Sequence, residues 1–381
     1  SDSVSGNTVN ITSTGTIQHT GSGRAVNASG DITLNSAGTI SGADASSNFN
    51  VNSTNGKVNI TSGGAVKLGT SGSDTVKLGN ISVSGSDFDY SGNDVKIDGN
   101  ITADNVNFTN INSFTQNANT TVTASTGNIV VDTAGNAVLN GLLQATSGNV
   151  KVNASNITSN SSNAITASTI ELVAANSIGS ESSALNFTAT GSVNAQSGTG
   201  MNLNSASAVT FGDLLNTSSG NIKVSAGGNA QFAKVTNTNG NITISSTGSA
   251  ALSDKVQGVD VTFNTGDIIA SNANSLISGT NINLTSSGSV GSSSGAVAVE
   301  SANGINAAAN NGSIYLAGTG ATKFNNVSAK NAVELSTKAG ILETSGAISG
   351  GTVKITSAAD TVVNSTVKST GATEIISAGL S

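Results

Sequence analysis

Side chains able to do covalent chemistry are scarce in this chain. One histidine (His19) and one arginine (Arg24) stand among 21 acidic residues spread over 381 positions. Glycan cleavage needs two carboxylates facing one bond. A nucleophilic triad needs a base beside the serine, and the single histidine falls at the end of the first repeat. No enzyme is expected, and no catalytic, cofactor-binding or metal residue is assigned. One stretch, 81–126, does concentrate functional groups. Phe88, Tyr90, Phe108 and Phe114 are four of only eleven aromatics, and Asp87, Asp89, Asp94, Asp98 and Asp104 lie among them. Such a stretch could stack a sugar on its rings or hold Ca²⁺ in its carboxylates, and Asp87 and Asp89 would share one strand face. No calcium-loop spacing accompanies them. The favoured reading is therefore aromatics filling a locally wider core, with solvated acids at corners.

What would position these groups is a repeat. Gly220-Asn-Ile-Lys-Val-Ser-Ala-Gly-Gly-Asn-Ala-Gln-Phe232 is followed, about 20 residues on, by Gly240-Asn-Ile-Thr-Ile-Ser-Ser-Thr-Gly-Ser-Ala-Ala-Leu252. With the opening residue as place 1, apolar residues fall at places 3, 5, 11 and 13 and a glycine at place 9. Gly56 gives Val58, Ile60, Gly64, Val66 and Leu68. Gly127 gives Ile129, Val131, Gly135, Ala137 and Leu139, and copies at Asn7, Gly30, Thr280 and Gly312 follow the same rule. Residues two apart share a strand face. Places 3 and 5 therefore point inward, while place 4 (Asn59, Lys151, Lys223, Thr243, Asn283, Lys354) points to water. The glycine marks a corner, and weaker apolar places such as Leu142, Val235, Val256 and Val327 supply a third side.

A single such turn has no core, but stacked turns pair strand on strand and build continuous inner ladders. The expected fold is all-β: a right-handed parallel β-helix (β-solenoid) of about 20 residues and three short strands per rung. One elongated rod over 1–381 is expected, reading as a fragment of a longer stalk because neither end looks capped. Residues 81–126 are expected to be irregular rungs or an excursion from the helix.

Composition narrows the function. Charged residues make up 9% and aromatics 3%, with a net charge of −7, so nucleic acid and anionic bilayers are poor partners. No apolar run is long enough for a membrane span. Cysteine and proline are absent, which is compatible with export unfolded and refolding outside, without disulfides or slow prolyl steps. Proline is also excluded simply by strand ladders. Sequons recur at Asn10, Asn59, Asn100, Asn156, Asn241 and Asn283, as expected where Asn and Thr are both abundant.

The phrases Gly-Asn-Ile-Thr-Ile-Ser-Ser-Thr-Gly (240–248), Gly-Lys-Val-Asn-Ile-Thr-Ser-Gly-Gly-Ala-Val-Lys-Leu (56–68) and Gly-Asp-Ile-Thr-Leu-Asn-Ser-Ala-Gly-Thr-Ile (30–40) resemble the repeats of filamentous-haemagglutinin-like exoproteins, adhesins exported by two-partner secretion. The likeness covers nearly the whole chain and rests on a degenerate repeat that autotransporter passengers share. It implies a secreted or outer-membrane-associated adhesin meeting host or bacterial surface glycans and proteins, or copies of itself. It also implies an outer-membrane secretion partner. The family's secretion domain carries Asn-Pro motifs, and this proline-free chain has none. A carbohydrate-active or carbohydrate-binding β-helix is the alternative expectation.

Overall fold

The computed structural model describes residues 3–21, 23–44, 47–70 and 75–379. Among these the regular structure is strand alone, and no helix is long and apolar enough to cross a membrane. The chain forms a parallel β-solenoid, with register partners one turn of roughly 21 residues apart. Backbone packing divides it into two compact units, Ser1–Ser192 and Val193–Ser381.

Three inner ladders run through the first unit. One is Ile81, Ile101, Val122, Leu143, Ile165 and Phe187. The second is Ile40, Val66, Phe88, Val106, Ile129, Val150 and Ile170. The third is Val76, Val95, Phe114, Ala137, Ile157 and Ile178. Every member is buried. Intervening residues face out, so each short strand reads in–out–in, as in Val58–Ser62 and Val95–Ile97. Burying one such aliphatic side chain contributes roughly 1.5–3 kcal/mol, and the ladder makes that gain depend on the turns above and below.

The second unit repeats the plan. Met201, Ile222, Ile242, Val261, Ile282, Ile305 and Phe324 line one inner face. Val209, Ala230, Ala250, Ile268, Val290, Ile314, Val333 and Val353 line another. Leu214, Val235, Val256, Ile277 and Val299 line a third.

The sequence template does not stay on one face. Val58 and Ile129 both occupy place 3, yet Ile129 continues the ladder of Val66 and Phe88, which the earlier copy fills from place 11. The frame has moved round by one side between them. A second such move separates Ile282 from Ile314, because Ile314 lies against Val290, a place-11 residue. Both moves are tolerated because every side carries the same in–out alternation.

Corners are held by a second set of ladders. The side-chain oxygens of Asn105, Asn128, Asn221 and Asn241 accept the backbone N–H of Asn128, Asn149, Asn241 and Asp260 one turn on, at 2.8–3.1 Å. Each of these four asparagines thus satisfies a donor that the strand pairing leaves free.

Candidate functional site

Residues 81–126 stay within the stack. The strands Phe88–Ser91, Val95–Ile97, Ile101–Ala103, Val106–Ile111 and Phe114–Gln116 pair in register with turns before and after, with one register shift between Phe108 and Ile111. Phe88, Tyr90, Phe108 and Phe114 are fully buried. Phe108 sits at the centre of the group, its ring centroid 5.0 Å from Phe114 and 6.0 Å from Phe88, both edge-on. Tyr90 reaches Thr70 Oγ1 at 3.5 Å, and burial pushes its phenol up to about 12. These rings are core and offer no surface for a sugar.

The acids of this stretch are tied to neighbouring turns. Asp87 Oδ1 accepts Asn105 N and Nδ2, at 3.2 and 2.8 Å. Asp89 accepts Asn107 Nδ2 at 2.7 Å and pairs with Lys67 at 3.2 Å. Asp94 accepts Ser113 Oγ at 2.8 Å. Asp98 accepts Asn117 Nδ2 and lies 3.6 Å from Lys57 and 3.8 Å from Lys96. Asp104 joins the stack through its backbone N–H, bonded to Ser86 O. Asp87 and Asp89 do share a face, but each is engaged axially with amides one turn away. Among the described residues no group of three or more His, Cys, Asp or Glu could hold a metal ion.

His19 and Arg24 are half-buried, and the His19 ring stands edge-on to Phe49 at 6.4 Å. Five of the six sequon asparagines named above spend their side-chain oxygens within the stack: Asn59 on Asn80 N, Asn100 on Thr121 N, Asn156 on Ser177, Asn241 on Asp260 N and Asn283 on Asn306 Nδ2.

An open concavity lies in the second unit. A cleft of about 550 Å³ crosses four successive turns, from Gln257 to Thr322. Gln257, Ser278 and Glu300 form an outward column in register, and Ser278 Oγ donates to Glu300 Oε2 at 3.3 Å. Gly258, Gly279 and Gly320 leave the floor without side chains. At Gly320 an added Cβ would meet nothing within 4 Å. The lining is amide, hydroxyl and a single carboxylate, so the two acids that glycosidic cleavage uses are not both present in it. It can hold an extended polar chain through hydroxyl and amide hydrogen bonds.

Nothing in the sequence marks this cleft. Gln257, Ser278 and Glu300 carry no motif, and their alignment follows from turn lengths that only the register reveals.

No family model matches the chain, and neither a curated protein nor a solved structure matches it.

Proposed function

We propose that this chain is a non-enzymatic adhesive segment of a bacterial surface or secreted protein. It meets glycans or proteins of host or bacterial surfaces, or copies of itself, through its outer faces. The observation that supports this most is the cleft from Gln257 to Thr322: broad, hydroxyl-lined, open along four turns and furnished with one carboxylate. Interior side chains stack the turns and corner amides cap them, so outward hydroxyls and the cleft are what remain for partners. The resemblance of the repeats to filamentous-haemagglutinin-like exoproteins supports export through an outer-membrane partner and a place outside the cell.

The test is retention under flow. Beads carrying the intact chain are passed over immobilised glycans, matrix proteins and the chain itself. The expected result is saturable retention on at least one surface. Gly320→Trp should weaken it by about 10-fold or more, because the ring fills the cleft where a side chain meets no obstruction. Retention nowhere, or the same retention with Gly320→Trp, overturns the adhesive reading of this cleft. The second reading, a carbohydrate-active β-helix, rests on Glu300 within the same cleft. It predicts new reducing ends when the chain is incubated with polysaccharides, and loss of that release in Glu300→Gln.

A further inference from the structure

The chain has eleven aromatic side chains, nine Phe and two Tyr. All nine phenylalanines and Tyr90 are buried. Tyr315 alone is partly exposed. It sits in the strand Ile314–Gly318 between Ile314 and Leu316, both inward, so alternation turns its ring onto the outer face. Other turns carry Asn59, Lys151, Lys223 or Thr243 at the same place of the repeat.

The surroundings of Tyr315 form a shallow recess of about 80 Å³. On one side the chain leaves the stack at Gly291 and doubles back through a tight turn, closed by Ser292 N to Gly295 O at 3.0 Å and Gly295 N to Ser292 O at 3.1 Å. Gly291 has φ +70°, and a Cβ there would lie 2.6 Å from Tyr315 O, so this position needs glycine. Ile269, 41% exposed, lies two turns earlier in the same outward column. On the other side Glu334 and Lys354 follow Tyr315 in register, and Glu374 follows Lys354. Lys354 Nζ pairs with Glu374 Oε2 at 3.0 Å. Among the described residues Glu334 makes neither an ion pair nor a side-chain hydrogen bond. Ser336 and Thr356 add hydroxyls in the next outward column.

We propose that Tyr315 is the platform of a binding subsite for a neutral hexopyranose unit of a glycan. A pyranose is amphiphilic in the same sense as this recess: one face presents C–H bonds that pack on a π-face, and its rim presents hydroxyls. Glu334 accepts from those hydroxyls, and Ser292, Ser336 and Thr356 both donate and accept. The recess holds only part of a sugar, so the ring lies on Tyr315 in the open. Glu334 stands free while Lys354 is already paired, so the site carries excess negative charge and disfavours uronates and sialylated chains. The inference deepens the adhesive reading and rests on its claim that the outer faces bind, but it places glycan recognition on a column distinct from the Gln257–Thr322 cleft.

Saturation-transfer NMR on the intact chain tests it, with cellotetraose, β-1,4-galactotetraose and β-1,4-mannotetraose as neutral probes and tetragalacturonate as the anionic one. At least one neutral probe is expected to receive saturation on its ring C–H protons. Tyr315→Phe should preserve this, Glu334→Gln should weaken it about 2–5-fold, and Tyr315→Ala should weaken it about 10-fold or more. Tyr315→Lys repeats the loss with a side chain that the same outward column already carries two turns on, at Lys354, so a folding defect in the alanine variant does not decide the matter. No transfer to any neutral probe, undiminished transfer in Tyr315→Lys, or preference for tetragalacturonate overturns the proposal. Retention of beads under flow that survives Tyr315→Lys, together with no NMR transfer, sinks this subsite and leaves the adhesive reading standing.

Discussion

Replacing Asn216 by alanine should be among the most damaging single changes to the second unit, although it removes no apolar contact. Asn216 is fully buried at a corner. Its Oδ1 accepts Ser197 Oγ at 3.0 Å, and its Nδ2 donates to Ser219 O at 2.8 Å and Asn237 Oδ1 at 3.0 Å, with a longer approach to Gly220 O at 3.3 Å. Asn237 then hands the pattern on, to Gly220 O at 3.1 Å and Asn241 O at 2.9 Å. In Asn216→Ala the Gly220 carbonyl keeps Asn237, and Ser219 is exposed enough for water. Ser197 Oγ and Asn237 Oδ1 are left buried without their partner. At roughly 1–3 kcal/mol for each orphaned buried group the cost is about 2–6 kcal/mol, a large share of an ordinary domain's stability. Asn239 supplies the control from the same corner: it is exposed, bonds only Ser218 O at 2.9 Å, and its alanine variant should cost less than about 0.5 kcal/mol. Urea unfolding followed by far-UV circular dichroism compares the midpoints, and amide exchange shows whether the turns around 197–241 open first. Midpoints for the two variants within about 0.5 kcal/mol of each other would refute the corner-amide argument.

Three further outcomes are expected. Phe232 stacks on Phe211 at 5.2 Å with ring planes 12° apart, so Phe232→Ala should cost about 3–5 kcal/mol, and the double variant with Phe211→Ala should cost less than the sum of the two in thermal melts. Gly220 has φ +87°, and a Cβ there would lie 1.9 Å from Thr199 O. Gly220→Ala should therefore lower the melting temperature, whereas Gly320→Ala should leave it within error. Burial raises the Tyr90 phenol from 10.0 to about 12, so the fold favours the protonated form. That contribution is complete below pH 10 and is lost as pH rises through about 12. Urea midpoints of the parent should fall relative to Tyr90→Phe across that window by on the order of 2 kcal/mol, and parallel curves would contradict the burial.

Much of the fold can be read from residue spacing alone. Val58, Ile60, Val66 and Leu68, and Ile222, Val224 and Phe232, lie inward as two-residue alternation requires. The shift of frame near 81–126 shows in the sequence only as irregular spacing, and the one before Ile314 escapes such reading because each side of the turn asks for the same pattern. The candidate sites are less legible still. Gln257, Ser278 and Glu300, or Tyr315, Glu334 and Lys354, become neighbours only through turn lengths that vary along the chain, so their proximity is a property of register. The aromatics and aspartates of 81–126 drew notice by composition, and their burial and axial bonding account for them as parts of the stack.

Everything proposed for the outer faces depends on side chains one turn apart standing directly above each other. The chain has no cysteine, so engineered pairs report this without background. Lys223 and Thr243 are register partners with outward side chains, and adjacent strands lie about 4.8 Å apart, within disulfide reach. Lys223→Cys with Thr243→Cys should oxidise nearly quantitatively to an intramolecular disulfide. Lys223→Cys with Ser245→Cys, two residues out of register and about 8 Å apart, should not. Equal cross-linking of both pairs, or of the second alone, would contradict the ladder on which the cleft and the Tyr315 platform are built.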